Sequence, residues 1–307
     1  MNQLILKLKA IGNTELAWRF RHSPPVIFAS VILVVLVFCA AAANLIAPHD
    51  PFDPATLNIM DARLPPAWIE GGGSTYLLGT DEQGRDILST IFYGMRISIL
   101  VGIAAVAFSM TIGVTLGLLA GYLGGWVDTV IMRLADVQLS FPTIMIAFFI
   151  DGVAKIVIPM EMREGMRFYV VILAIGVADW VQFARTVRAA TMIERRKDYV
   201  AAARISDVSG TRILLAHILP NTIGPVLVLG TLGLGVAILT EAILSFLGLG
   251  MPPSQPSLGT LIRAGNDLLL SGEWWVSLFP GAALVLLVLA VNIVGDWLRD
   301  ALNPRLR

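Results

Sequence analysis

Long apolar runs recur along the chain, separated by polar stretches. They cover roughly residues 26–47, 97–122, 127–150, 168–190, 221–247 and 275–298. An α-helix needs about 20 residues to cross a hydrocarbon core, so the pattern predicts six membrane spans. Two runs are interrupted. Asp128, Arg133, Asp136 and Pro142 fall in the third, and Asp179 and Gln182 in the fourth. Ionisable groups within spans face the bundle interior or a watery cavity as a rule. The expected fold class is therefore all-α, a polytopic bundle of six transmembrane helices with a helical loop between the fourth and fifth.

The polar stretches divide the chain further. Residues 1–25 form an N-terminal tail, 48–96 a segment after the first span, 97–298 a five-helix core that includes the loop 191–220, and 299–307 a C-terminal tail. Pro48 to Gly73 is rich in Pro, Gly and Asp and predicts turns rather than helix. From Asp86 to Arg96, the positions of Ile87, Leu88, Ile91, Phe92 and Met95 predict an amphipathic helix at the interface. The first run is too long for a signal peptide, and Pro48-His-Asp-Pro51 is unlike a cleavage site, so a retained span is expected.

Lys and Arg set the orientation. Lys7, Lys9, Arg19 and Arg21, the loop residues Arg185, Arg188, Arg195, Arg196, Lys197, Arg204 and Arg212, and Arg299, Arg305 and Arg307 share one side if there are six spans. They outnumber Arg63, Arg85, Arg96, Lys155, Arg163, Arg167 and Arg263 on the other. Both termini and the 191–220 loop are thus expected in the cytoplasm, and 48–96 outside.

Composition agrees with a membrane protein. The chain is 56% hydrophobic and 14% charged, against roughly a quarter charged in soluble domains, and its mean hydropathy is +0.78. The net charge is zero, which gives no electrostatic footprint for nucleic acid. A single cysteine, Cys39, excludes an intrachain disulfide and a Cys-rich metal site. His22, His49 and His217 are far apart and on opposite sides of the expected topology, so no metal site is expected. No lysine follows a glycine, so there is no P-loop. There is no Gly-x-Ser-x-Gly elbow either. No enzyme and no bound cofactor are expected.

Within the runs, Gly113, Gly117 and Gly121 recur every four residues, a face that lets two helices approach closely in lipid. Both another helix of this chain and a second subunit are open as partners, the former favoured. Gly224-Pro225, Gly230, Gly233 and Gly235 suggest a bent fifth span. Arg133 and Asp136 are three apart and placed to pair, either holding the bundle or lining a solute path. Glu241 is positioned to meet a solute amine or a partner polar group. Asp296, Arg299 and Asp300 suggest a local charge network, and Trp274, Trp275 and Trp297 the two interfaces of the last span.

The loop is the most informative stretch. Arg185 to Arg204 continues the fourth span as a basic helix, and Ala201, Ala202 and Ala203 make a strip without bulk. Ser206-Asp207-Val-Ser-Gly210 breaks it, with Asp207 or Ser209 available to cap the next helix. Ile213, Leu214, His217 and Ile218 then share one face, and Pro220 ends that helix. The expectation is a helix-turn-helix with a shallow, apolar, positively rimmed face that docks a partner.

This stretch resembles the loop of bacterial ABC-importer permeases, whose pattern is Glu-Ala-Ala, three residues, Gly, then an Ile-x-Leu-Pro end. Ala202, Ala203, His217, Ile218, Leu219, Pro220 and Asn221 match the version in peptide permeases, while Ala201 stands for the Glu and Asp207 for the Gly. Asp tolerates left-handed backbone better than most residues. Leu78-Gly-Thr-Asp-Glu-Gln-Gly-Arg-Asp-Ile-Leu-Ser89, Pro65-Pro-Ala-Trp68, Ala120-Gly-Tyr-Leu-Gly-Gly125, Met132-Arg-Leu-Ala-Asp136, Leu244-Ser-Phe-Leu-Gly-Leu-Gly250 and Gly295-Asp-Trp-Leu-Arg-Asp-Ala-Leu-Asn-Pro304 are similar to other stretches of that family's dipeptide, oligopeptide and nickel branch, nearest its C-type dipeptide subunits.

The resemblance implies a permease subunit of an ATP-driven importer of dipeptides or short oligopeptides in the bacterial inner membrane. It implies a second, similar permease subunit, two ATP-binding subunits that use ATP and Mg, and an extracytoplasmic binding protein delivering substrate to the 48–96 and 248–274 side. Ala201, Ala202, Ala203, Arg204, Asp207, Arg212, His217, Leu219 and Pro220 are the implied ATPase-coupling residues. Import of nickel or another solute by the same machine is the nearest alternative. An ion-coupled secondary transporter would need mid-membrane carboxylates, for which Asp136 and Asp179 are the candidates, and internal repeats, of which none is visible. A membrane scaffold without transport is the third class.

Overall fold

The computed structural model describes residues 15–53 and 57–302. Lys7, Lys9, Arg305, Arg307 and the last two residues of the Gly295–Pro304 motif lie outside them. A short helix α1 (Glu15–Arg21) leads into α2 (Pro24–Ala41), where Pro24 supplies the fixed φ that suits a first helical turn.

The segment that follows is irregular but well bonded. Arg63 N donates to Asp81 O at 2.9 Å, and Arg85 Nε to Asp81 Oδ2 at 2.7 Å, both side chains being buried. Gly79 has φ +85°, and a Cβ there would lie 2.5 Å from Leu64 O, so the turn admits only glycine. Asp86 accepts Ser89 N at 2.9 Å and so caps α3 (Ile87–Leu123).

At 37 residues, α3 is about 55 Å long. This corrects the expected division between an interfacial helix at 86–96 and a span from 97. No proline interrupts residues 87–123, and Ile87, Ile91 and Met95 are buried against Leu258, Leu261 and Trp275 rather than laid on a surface. The first turns of α3 therefore belong to the protein core.

α4 (Gly125–Leu139) and α5 (Thr143–Val157) meet at a 97° bend. Pro142, at the break, lacks a backbone donor and disfavours helix at Phe141. Then come α6 (Arg163–Glu194), α7 (Asp198–Ile205), α8 (Gly210–Phe246), α9 (Leu258–Asn266) and α10 (Trp275–Leu302).

The bent pair runs the length of the bundle. At the start of α4, Asp128 is held by Arg188 of α6, Nη2 to Oδ2 at 2.6 Å. Toward the end of α5, Asp151 is held by Arg167 of α6, Nη1 to Oδ1 at 2.5 Å. Those two arginines lie about 30 Å apart along α6 at 1.5 Å per residue. With five other helices of spanning length, the pair counted as one span gives six passages. Phe20 packs on Trp297 with centroids 5.3 Å apart, which puts the start of α2 and the end of α10 together. At the other end Trp275 is buried and donates to Thr80 O at 3.3 Å. Trp275 thus anchors the 57–86 segment instead of facing lipid.

Close packing of α3 on α6 forms the centre. A Cβ on Gly113 would lie 2.6 Å from Trp180 O, one on Gly117 2.5 Å from Ala184 O, and one on Gly121 2.7 Å from Thr191 Cβ. Gly176 of α6 in turn admits the ring of Phe108, and Ser109 Oγ donates to Gly176 O at 3.1 Å. The glycine face serves contact within this chain.

Candidate functional site

The loop between α6 and α8 is a projection tied to the bundle by packing and hydrogen bonds. In α7, Val200 is fully buried and packs with Ile213, Ile218, Leu118, Phe183, Val187 and Val226. Tyr199 Oη donates to Glu194 Oε2 at 2.7 Å, and Asn221 Nδ2 reaches Tyr199 Oη at 3.2 Å and His217 O at 2.7 Å. Burial, with the Glu194 hydrogen bond second, pushes the Tyr199 phenol above its ordinary value. Lys197 Nζ lies 2.6 Å from Glu194 Oε1, and that bond holds the ammonium above its usual range.

α7 ends in a paired turn. Asp207 N donates to Arg204 O and Val208 N to Ala203 O, each at 3.1 Å, with Asp207 at φ +57°. These are the two bonds of a Schellman ending, with aspartate where glycine is usual. The left-handed turn expected from Asp207 is present.

The next helix departs from expectation in two ways. Pro220 does not end it: α8 continues from Gly210 to Phe246. The backbone over Ile213–Ile218 widens to a π turn, with Leu219 N bonded to Leu214 O five residues back. The wider turn absorbs the clash and missing donor that Pro220 would impose on a regular helix. Second, Ile213 and Ile218 are buried in the bundle, so the expected face of Ile213, Leu214, His217 and Ile218 points largely inward. The exposed surface is made by Ala201, Ala202, Arg204, Asp207, Arg212, Leu215 and Pro220, with Ile205 88% exposed at its edge. Ala203, His217 and Leu219 are half-buried.

The polar residues within the spans are also re-partnered. Asp136 Oδ1 accepts from Arg185 Nη2 of α6 at 2.5 Å, and Arg133 is exposed elsewhere on α4, so the expected Arg133–Asp136 pair is not formed. Packing of α4 beside α6 supplies the nearer guanidinium. Glu241 is fully enclosed: Ser98 Oγ donates to Oε2 at 2.8 Å and Ser245 Oγ to Oε1 at 2.6 Å, with the Ser257 hydroxyl also against it. In this conformation no solute reaches its carboxylate. Asp179 borders a void of about 40 Å³ with Ser109 and Gln182.

At the opposite end of the bundle from the projection, a cavity of about 530 Å³ is lined by Glu82, Arg85, Arg167, Arg263 and Asp267 among others. Arg167 clamps its wall, Nε donating to Gly250 O at 2.8 Å and Nη2 to Gly248 O at 3.1 Å, while Asp151 holds its third nitrogen. Gly248, at φ +83°, closes a second Schellman ending, at α8. The Arg167–Asp151 clamp was not anticipated.

The architecture is a polytopic helical bundle with a two-helix projection at one end and a polar cavity at the other. Residues 113–307 match the family model "Binding-protein-dependent transport system inner membrane component", and residues 14–66 that of the "N-terminal TM domain of oligopeptide transport permease C". The chain belongs to this family and is a multi-pass inner-membrane protein. It is 37% identical over 289 residues to the di/tripeptide transport system permease protein of Pseudomonas aeruginosa, covering 94% of this chain and 90% of that one. It is 40% identical over 279 residues to the dipeptide transport system permease protein of Haemophilus influenzae, covering 91% of each, and 40% over 291 residues to that of Escherichia coli K12, covering 94% and 91%.

Proposed function

We propose that this permease imports dipeptides or short oligopeptides, forming the path with a second permease subunit and drawing its energy from separate ATP-binding subunits seated on the 199–221 projection. The named relatives support the substrate class. The Lys and Arg distribution supports a cytoplasmic placement of the projection and both termini, and the Phe20–Trp297 contact supports the first and last spans sharing that end. The binding protein would approach the other end, where the 530 Å³ cavity opens between the 57–86 and 248–268 segments.

The observation that supports coupling best is mechanical. The exposed strip Ala201–Ala202 has no bulk of its own, yet α7 is tied to α6 through Tyr199–Glu194 and to α8 through Asn221. Motion imposed on α7 is thereby delivered to both helices at once. The test is Ala202→Trp, which fills the strip without touching the core. Membrane insertion should be unchanged, while ATPase co-purification and ATP-driven peptide uptake both fall at least tenfold. Full co-purification and uptake with the tryptophan in place would rule the docking out.

A further inference from the structure

Beside the projection, sharing Arg204 with its exposed surface, lies a basic recess. It has a volume of about 350 Å³ and is lined by Gly121, Gly124, Asp128, Arg195, Arg196 and Arg204, among others. Its one carboxylate, Asp128, is already engaged on both oxygens by Arg188. Arg195 spends one nitrogen on Tyr122 O at 2.7 Å and lies over the bare backbone of Gly124, where a Cβ would stand 3.5 Å from Nη1. Arg204 stacks over the Tyr122 ring, 5.7 Å from its centroid. Among the described residues no carboxylate pairs with Arg195, Arg196 or Arg204. Three arginines thus line a hollow whose one carboxylate is already bonded to Arg188. Glu194, the nearest acid in sequence, is turned to Lys197 and Tyr199.

The surroundings indicate what fills the hollow. Met192, which lines the recess, is 38% exposed, and Trp126, one residue into α4, is 77% exposed. An exposed indole and apolar side chains next to arginines are the arrangement of a membrane–water boundary. Basic pockets between transmembrane helices accept anionic headgroups, and arginine binds phosphate oxygens bidentately. We propose that this recess holds the phosphate of an anionic phospholipid, with the acyl chains lying beside Met192. The lipid would fix the α3–α4 corner against the end of α6, beside the projection. The inference needs the chain in a membrane and does not depend on which solute is carried.

The test uses the full chain purified with the subunits that accompany it, delipidated and then supplied with phosphatidylglycerol, phosphatidylcholine or inorganic phosphate. Native mass spectrometry reads the bound adducts. Phosphatidylglycerol should be retained by the unaltered chain and released with about fivefold lower affinity by Arg196→Gln, the loss expected for one surface cation. Phosphatidylcholine should show no difference. Arg133→Gln removes a charge elsewhere on α4 and should leave retention intact. Equal retention by Arg196→Gln, or an equal loss with Arg133→Gln, overturns the site. Binding of inorganic phosphate with no preference for phosphatidylglycerol makes it a soluble-anion site and overturns the lipid. Retention only after the ATPases are stripped away assigns the recess to an acidic side chain of theirs and does the same. ATPase co-purification scored in the same samples separates failure of this site from failure of the docking reading.

Discussion

Tyr199 and Glu194 bridge the turn between α6 and α7, phenol to carboxylate at 2.7 Å. The bond joins a projecting helix to a bundle helix, and Asn221 extends it to α8 at 3.2 Å. Hydrogen bonds to charged groups contribute about 1.5–3 kcal/mol each. Tyr199→Phe keeps the ring and removes the tie. Amide exchange over residues 198–206 should quicken about tenfold, while ATPase co-purification persists and uptake per ATP hydrolysed falls. The raised pKa of the phenol means that its proton stays in the bond at neutral pH and is lost as alkali takes the pH past that raised value. Unchanged coupling with the faster exchange would detach the tie from force transfer.

Asp207 stands at φ +57° in a Schellman ending. A left-handed residue other than glycine costs about 1 kcal/mol, less for aspartate. Asp207→Gly should therefore raise or leave unchanged the thermal stability of the purified chain, and Asp207→Val should lower it by about 1–2 kcal/mol because β-branching opposes that backbone. Thermal melts in detergent compare the two. A valine variant as stable as the glycine one would mean that the turn is not held in this conformation.

These two positions show how far the residues alone lead. The αL turn was legible because Asp207 replaces a glycine inside a polar break between two helical patterns. The six passages were legible from apolar length, since backbone in lipid must be helical. The π turn was not, because proline at 220 reads locally as a helix boundary, and only the burial of Ile213 and Ile218 shows that the helix must continue through it. The long α3 was missed for a similar reason: Ile87, Ile91 and Met95 have the same spacing whether they meet lipid or Leu258. Pairings across helices, Arg185–Asp136 and Arg167–Asp151, have no sequence signal at all. They depend on which helices become neighbours.

Gly117 illustrates a contact that tolerates no side chain. Its Cβ would stand 2.5 Å from Ala184 O and 2.8 Å from Val187 Cβ, and backbone has no rotamer in which to yield. Gly117→Leu should separate α3 from α6 and leave little folded protein, and Gly117→Ala should cost about 1–3 kcal/mol. Gly152→Ala is the control, because nothing lies within 4 Å of that position. Melts of the two alanine variants should differ by several degrees. Similar melts would show that α3 and α6 are not in close contact in the membrane-extracted protein.

Glu241 decides between holding the bundle and contacting the solute. Its carboxylate gathers Ser98 from α3, Ser245 from its own helix and Ser257 from the start of α9, and Ser245 Oγ in turn accepts Met251 N at 3.0 Å. Ser98 Oγ likewise accepts Leu258 N at 3.3 Å. The network thus fixes the 248–258 segment, which lines the external cavity, against two long helices. Removing the acceptor leaves buried hydroxyls without partners, at about 1–3 kcal/mol each. Glu241→Ala should lower the melting temperature markedly. Glu241→Gln, which keeps one acceptor oxygen and the shape, should lower it less and preserve most uptake. The opposite pattern, with normal melting for both variants and uptake lost in the glutamine form, would place the carboxylate on the solute's path in another conformation. The present enclosure of Glu241 favours the first outcome, since a group at 0% exposure meets only what the fold brings to it.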